Sequence, residues 1–141
     1  MASAAVIAAV KARIAAEVLP VIAVTFRDLD SPTLLERPKS GGPYLEIEFW
    51  GGASAPDEFG SPDSNNWTER GTIQFHIFVD HKASMDSARA IWAVVFSKFV
   101  GRLFDGVFVE EVTAIADEIE PVGAFKGLSG SVSYSFEFTH A

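Results

Sequence analysis

The segment TIQFHIFV, residues 72–79, indicates the fold class of this 141-residue chain. Successive side chains of a β-strand point to opposite faces, so alternating polarity predicts a strand with one buried face. The apolar face carries Ile73, Phe75, Ile77 and Val79, and the polar face carries Thr72, Gln74 and His76. The alternation therefore predicts a strand that covers a core with one side only.

Two further segments alternate in the same way. In YLEIEFW, residues 44–50, apolar side chains alternate with Glu46 and Glu48, and in SVSYSFEF, residues 131–138, they alternate with serines and Glu137. Three strands of this kind are typical of an antiparallel sheet with one face packed on the core. Apolar stretches at residues 21–26 and 107–116 predict two more strands, which makes about five.

Two helices are predicted to cover the sheet. The first begins near Ser3, ends before Pro20 and repeats apolar residues at spacings of three and four. The second spans about residues 85–104, with Ser84 as its N-cap and Gly106 near its end. Its apolar stripe consists of Ala88, Ile91, Trp92, Val95, Phe99 and Leu103. The predicted fold class is α+β, in the order α-β-β-β-α-β-β, with both amphipathic helices on one face of a mostly antiparallel sheet.

The length favours a single domain over residues 1–141. Residues 51–66, GGASAPDEFGSPDSNN, are rich in glycine, proline, serine and asparagine and predict a long loop. Compact domains seldom keep such a loop without a function. Disorder and an interaction arm are both compatible with its composition.

Composition excludes several classes of function. The net charge of -8 includes no cluster of basic residues, so specific nucleic-acid binding is not expected. The chain contains no cysteine, which excludes disulfides, thiolate metal ligands and cysteine nucleophiles. The longest apolar run, residues 90–96, is far shorter than the roughly 20 residues that span a bilayer, so no membrane partner is expected.

No catalytic constellation emerges from the sequence. The histidines have no metal-ligand spacing, and His76 is interpreted as a polar-face residue beside Gln74. The segment GLSGS, residues 127–131, superficially resembles a nucleophile elbow, but it leads into a strand where that motif requires a helix. We therefore expect no enzyme activity, no cofactor and no metal.

Two groups of residues are candidates for contact with partners. Trp50, Phe59 and Trp67 bracket or interrupt the predicted loop, and aromatic side chains there are either local anchors or interface residues. Glu46, Glu48 and Glu137 are predicted to form an acidic polar face of the sheet.

Four features together resemble one protein family. They are the N-terminal amphipathic helix in a chain of matching length, the stretch GPYLEIEF at residues 42–49, the strand RGTIQFHIFV at residues 70–79 followed by a long helix, and the aromatic C-terminal strand that ends in FTH at residues 138–140. The chain resembles the tail terminator, or tail completion, proteins of long-tailed bacteriophages, which include the minor-tail-protein-U-like proteins.

The resemblance implies a structural role in a virion. Such proteins form a ring, usually a hexamer, at the head-proximal end of the tail tube, where they stop tube polymerisation and offer a docking surface for head joining. The implied partners are further copies of the chain, the tail tube protein and the head connector or neck protein. The implied location is the virion tail, after assembly in the host cytoplasm. DNA would pass through the ring, and an acidic lining that includes Glu46, Glu48 and Glu137 would suit that passage.

Two alternatives stay open. One is a different head-tail connector or neck protein, which would share the ring but occupy another position. The other is a small dimeric α+β domain that binds a ligand, for which a ligand-sized pocket is expected.

Overall fold

Two helices lie on one face of a six-stranded sheet in the computed structural model, which describes residues 2–18, 22–26, 43–56, 65–80, 82–117 and 125–140. The elements are α1 (Ala4–Glu17), β1 (Ala23–Phe26), β2 (Tyr44–Pro56), β3 (Asn65–Asp80), α2 (Met85–Phe99), β4 (Leu103–Phe104), β5 (Val107–Asp117) and β6 (Phe125–His140). The strand order in the sheet is β1-β2-β3-β6-β5-β4.

The predicted fold class is confirmed. All strand pairs are antiparallel except β1 with β2, which is parallel. The extra strand is β4, whose two residues the sequence pattern places in the second helix. That part of the pattern is wrong, because α2 ends at Phe99 and Gly101 has a positive φ of 72° that turns the chain into β4. Leu103 is consequently exposed and not part of a helical stripe.

The alternation along β3 correctly identifies the core. Ile73, Phe75, Ile77 and Val79 are buried beneath the helices, together with Val6, Val10, Ile14, Trp92, Val95 and Phe99 from α1 and α2. Burial of each large aliphatic or aromatic side chain contributes about 1.5–3 kcal/mol relative to exposure. The core therefore lies on one side of the sheet, and the sheet face that contacts it is called the helix-covered face below.

Two glycines let aromatic rings lie directly on the backbone of the sheet. A Cβ at Gly130 would lie 2.5 Å from the Trp92 ring, and a Cβ at Gly71 would lie 2.6 Å from the hydroxyl of Tyr134, its cross-strand partner. Trp92 also meets Phe75 edge-on, with ring centroids 6.1 Å apart. Because no side chain intervenes at Gly130, α2 packs close to the centre of the sheet.

A guanidinium group joins the two helices. Arg13 of α1 donates from Nε and Nη2 to the backbone carbonyl of Lys98 in the last turn of α2, at 3.1 and 3.0 Å. The last carbonyls of a helix have no partner within the helix and carry its negative end, so a cation there is favourable. Lys98 in turn lies 3.3 Å from a carboxylate oxygen of Glu17. These contacts fix α1 against the C-terminal end of α2.

The predicted loop at residues 51–66 is wrong at both ends. Residues 51–56 continue β2 and residues 65–66 begin β3, with Pro56 opposite Trp67. The register shifts between Trp50 and Ala53, where Gly51 has a φ of 38°. Such a bulge adds a residue to one strand and interrupts the alternation of side chains, which is why the pattern hides the strand. Residues 57–64 lie outside the described residues.

We expect Gly130→Ala to lower the free energy of unfolding by about 1–3 kcal/mol, because the added methyl group overlaps the Trp92 ring. The measurement is denaturant unfolding of the parent, Gly130→Ala, Trp92→Leu and the double variant. The double-mutant cycle should show that Gly130→Ala costs much less when Trp92 is already absent. An equal cost in both backgrounds would show that the clash with Trp92 is not the cause.

Candidate functional site

The sheet face opposite the helices carries Ser129, Ser131, Ser133 and Ser135 of β6 and is called the serine face below. Its two halves differ. Towards β1 and the end of β3, Tyr44 and Phe78 are buried and stack with ring centroids 4.9 Å apart. Towards the other end of the sheet, larger side chains are exposed. Within the described ranges, this second half of the face is the part that is open for contact with another molecule.

The covered half contains a buried polar network. His76 lies between Glu48 and Ser129, with Nε2 3.1 Å from the Glu48 carboxylate and Nδ1 2.7 Å from the Ser129 hydroxyl. The three residues come from β2, β3 and β6. Buried polar groups of a sheet are normally paired in this way, and such a network fixes strand register.

A serine, a histidine and a carboxylate in line also occur in hydrolases, so the surroundings of Ser129 matter. Ser129 lies inside β6, opposite His76 on β3 and Ala116 on β5. Backbone amides next to it therefore take part in the sheet ladders and are not free to stabilise an oxyanion. No exposed turn presents the hydroxyl, which is the arrangement that a nucleophile elbow provides. The geometry fits a structural network.

The described residues contain neither a metal-ligand cluster nor a membrane-spanning helix. Among the described residues, no three histidine, aspartate or glutamate side chains converge as metal ligands. None of the described helices combines the length and the hydropathy needed to cross a bilayer.

The acidic face predicted from the sequence is not formed as expected. Glu46 is 1 % exposed and Glu48 is 6 % exposed, so neither carboxylate presents charge to solvent. Periodicity correctly assigns them to the serine face but does not reveal that this half of the face is covered. Glu137 is exposed, as predicted, and Glu110 and Glu111 on β5 are exposed as well. The exposed acidic side chains therefore lie on β5 and near the end of β6.

The structure separates the three candidate interface aromatics. Trp50 projects from the serine face and is 54 % exposed. Trp67 lies on the helix-covered side, half-buried and stacked on Phe138 at 6.4 Å. Phe59 lies outside the described residues. Trp50 therefore keeps the features of an interface residue, whereas Trp67 is a local anchor of the extended β2–β3 hairpin.

The open half of the serine face forms a shallow trough between exposed apolar side chains. One row across the sheet runs from Trp50 through Thr72 and Ser133 to Glu111. The next row runs through Ala53, Arg70, Ser135, Phe108 and Leu103. Trp50 forms one rim, and Phe108 with Leu103, which is 71 % exposed, forms the other. The floor of this trough consists of the small side chains Thr72, Ser133 and Ser135 and of the exposed Arg70.

A second apolar surface lies on the helices. Val94 and Phe96 of α2 are exposed, and the outward side of the helix between them consists of Ala90, Ala93 and Ser97. Beside Val94, an open apolar groove of about 180 Å³ separates α2 from the end of α1. Its lining residues are Val18, Ile22, Ala90, Ile91, Val94 and Val95.

Sequence patterns miss part of these surfaces. Leu103 and Phe108 are hidden because β4 is too short to show alternation. The exposed acids on β5 carry a visible signal, since Glu110 and Glu111 interrupt an otherwise apolar strand. Glu69 carries a signal too, because it is in phase with the apolar residues of β3.

Glu69 is a buried carboxylate on the helix-covered face. Its Oε2 accepts a hydrogen bond from the Tyr134 hydroxyl at 2.7 Å and one from the backbone amide of Ser3 at 3.2 Å. Ser3 is the N-cap of α1, so the negative charge lies at the positive end of the helix. Burial raises the pKa of Tyr134 far above its ordinary value of 10.0, and the hydrogen bond and charge of Glu69 raise it further.

This raised pKa predicts a loss of stability in alkali. Above pH 10.0 the tyrosine ionises in the unfolded chain but keeps its proton in the folded one. The unfolded state then binds fewer protons, so the free energy of unfolding falls by up to about 1.4 kcal/mol for each further pH unit. Below that pH the stabilisation from Tyr134 is fully present.

We expect Tyr134→Phe to remove this alkaline component and to lower the stability near neutral pH by about 1–3 kcal/mol, because Glu69 loses a donor. Denaturant unfolding on both sides of pH 10.0 measures both effects. Tyr44→Phe, which removes the other tyrosine hydroxyl, is the control and should keep the part of the alkaline slope that belongs to Tyr134. An unchanged slope in Tyr134→Phe would contradict the assignment.

Comparison with known proteins gives structural matches only. No protein-family model matches the sequence, and no curated protein matches it. One solved structure, whose name states no function, is 20% identical and has a TM-score of 0.59 over 98% of this chain and 97% of its own. Another belongs to the virion of a native gene transfer agent particle, with 15% identity and a TM-score of 0.61 over 93% of each chain. At these identities the likeness shows a shared fold.

Proposed function

We propose that this chain is a virion structural protein of a phage-like particle, which forms a ring at the head-proximal end of the tail tube. There it ends tube polymerisation and provides the surface for head-tail joining. The observation that carries the proposal is the fold shared with a chain of a gene transfer agent virion, over 93% of both chains. The resemblance of the sequence to tail terminators supports the position at the tail end.

The surfaces of the chain support assembly. Large apolar side chains are exposed at two separate places, the trough on the serine face and the outer side of α2. Exposed aromatic side chains such as Trp50, Phe96 and Phe108 are enriched at protein–protein contacts. The partners in this proposal are further copies of the chain, the tail tube protein and the head connector. The chain is assembled in the host cytoplasm and remains in the virion.

A non-enzymatic role agrees with the one serine–histidine–carboxylate arrangement that the described residues contain. Ser129 lies within a sheet ladder and lacks free amide donors, so the arrangement is suited to holding strands together. No cofactor or metal enters the proposal.

The net charge of -8 suits a ring through which DNA passes, because acidic walls repel phosphate. With Glu46 and Glu48 buried, Glu110 is one of the exposed acids available for such a wall, whereas Glu111 and Glu137 lie at the trough. Specific nucleic-acid binding is not part of the proposal.

Two other functions compete. A different head-tail connector or neck protein would share the virion location and the assembly surfaces. For a small dimeric ligand-binding domain, the described residues offer the groove beside Val94, which is open and holds about 180 Å³. Sites for small molecules typically enclose about 300–1,000 Å³.

Deletion of the gene from its phage or prophage tests the position in the virion. A tail terminator predicts tubes of abnormal length without heads, because nothing stops polymerisation. Electron microscopy of the deletion strain measures tube length, and complementation with the intact gene is the control. Tails of normal length that fail to join heads would contradict the proposal and favour a neck protein.

A further inference from the structure

We propose that copies of the chain assemble by placing the outer side of α2 from one copy in the trough on the serine face of the next. This inference rests on the proposed function, because the closed ring is taken from that proposal. It names the two surfaces that meet, and it takes a second copy of the chain as the occupant of the trough.

The dimensions of the two surfaces agree. The trough is bounded by Trp50 on β2 and Phe108 on β5, which are three strand spacings apart in the sheet order. At about 4.8 Å for each spacing the rims are roughly 14 Å apart, and an α-helix with its side chains is about 10–12 Å wide. The 15 residues of α2 extend for about 22 Å, which is enough to span several rows of the sheet.

The shapes of the side chains also agree. Thr72, Ser133 and Ser135 give the floor small side chains, and the outward residues Ala90, Ala93 and Ser97 give α2 a smooth surface. Arg70 also lies on the floor with its side chain exposed, so its guanidinium group would lie beneath the docked helix. The exposed Val94 and Phe96 project from the two flanks of α2 and would pack against the apolar rims. Burial of both sets removes the exposed apolar area that each copy otherwise presents to water.

Charges near the two surfaces are complementary. The exposed carboxylates of Glu111 and Glu137 lie on the serine face at the trough. On and after α2, Arg89 and Arg102 are exposed and Lys98 is partly exposed. Each surface also carries one opposite charge, Arg70 on the floor of the trough and Asp86, which pairs with Arg89, on α2. Complementary potentials orient an encounter and disfavour other registers, although each exposed pair contributes little energy.

The positions of the surfaces determine the type of assembly. α2 lies on the helix-covered face and the trough lies on the opposite face, so a chain cannot fill its own trough. The contact is therefore heterologous, and repeated heterologous contacts generate a ring if the rotation closes or a filament if it does not. A helix of this size covers on the order of 250 Å² of flat surface, less than the roughly 800 Å² per partner of stable complexes. Closure, which gives every copy two contacts, strengthens an interface of this size.

Disulfide trapping tests the contact, because the chain contains no cysteine. Ala93→Cys places a thiol on the outer side of α2, and Ser135→Cys places one on the floor of the trough, where the Ser135 side chain is partly exposed. Under mild oxidation of the concentrated full-length protein, the double variant should give a ladder of covalent multimers on a non-reducing gel. A mixture of the two single variants should give covalent dimers only, and each single variant should stay monomeric.

A matched control uses Ala8→Cys with Ser135→Cys, because Ala8 is also an exposed alanine on a helix. This pair should give at least tenfold less crosslinked product than the Ala93 pair. Charge reversal provides a second measurement. Glu111→Lys with Glu137→Lys should reduce the ladder, and further reversal of Arg89 and Arg102 to glutamate should restore it. Circular dichroism verifies that each variant is folded.

Three outcomes would overturn the inference. Covalent dimers of Ala93→Cys alone would show that α2 meets α2 of the next copy, and equal ladders from the control pair would show random collision. A folded double variant that stays monomeric would show that the surfaces do not meet. Failure of the contact is distinguishable from failure of the proposed function, because tail length in the deletion strain does not depend on which surfaces crosslink.

Discussion

Placement of both helices on the same face of the sheet is the constraint on which the structure depends. That face can be uniformly apolar because α1 and α2 exclude water from it, and Trp92 packs against the backbone of Gly130 to bring α2 close. Neither of the two described helices lies on the serine face, so the described side chains there are stabilised by other contacts. One half holds the His76 network among buried residues, and the other half leaves its apolar side chains exposed. The proposed assembly rests on this asymmetry.

The local periodicity of apolar residues predicts which side of each strand or helix is buried. A strict alternation in β3 and a stripe of apolar residues in α2 determine which side chains face the core, so the fold class and the buried face follow from the sequence. The parallel pairing of β1 with β2 and the sheet order depend on contacts between distant segments, which no local pattern encodes. The outer part of the β2–β3 hairpin, residues 51–56 and 65–66, is missed because the bulge after Trp50 breaks the alternation on which strand recognition relies.

The candidate site is only partly predictable for a related reason. Alternation assigns Glu46 and Glu48 to the correct face, but burial depends on what lies over that face. Trp50 is identified because an aromatic residue at a strand end next to glycines is conspicuous. Leu103 and Phe108 become recognisable only when β4 and β5 pair at the edge of the sheet. A surface whose residues come from four strands cannot be recognised from the pattern of any single strand.

The link between Arg13 and the last turn of α2 has a mechanical consequence. A pull on the outer side of α2 would be passed through the Lys98 carbonyl to α1, and through Ser3 and Glu69 to the central strand β3. Through these hydrogen bonds, a force on α2 would also act on α1 and β3. A subunit built in this way would bear load from its neighbours as one rigid body.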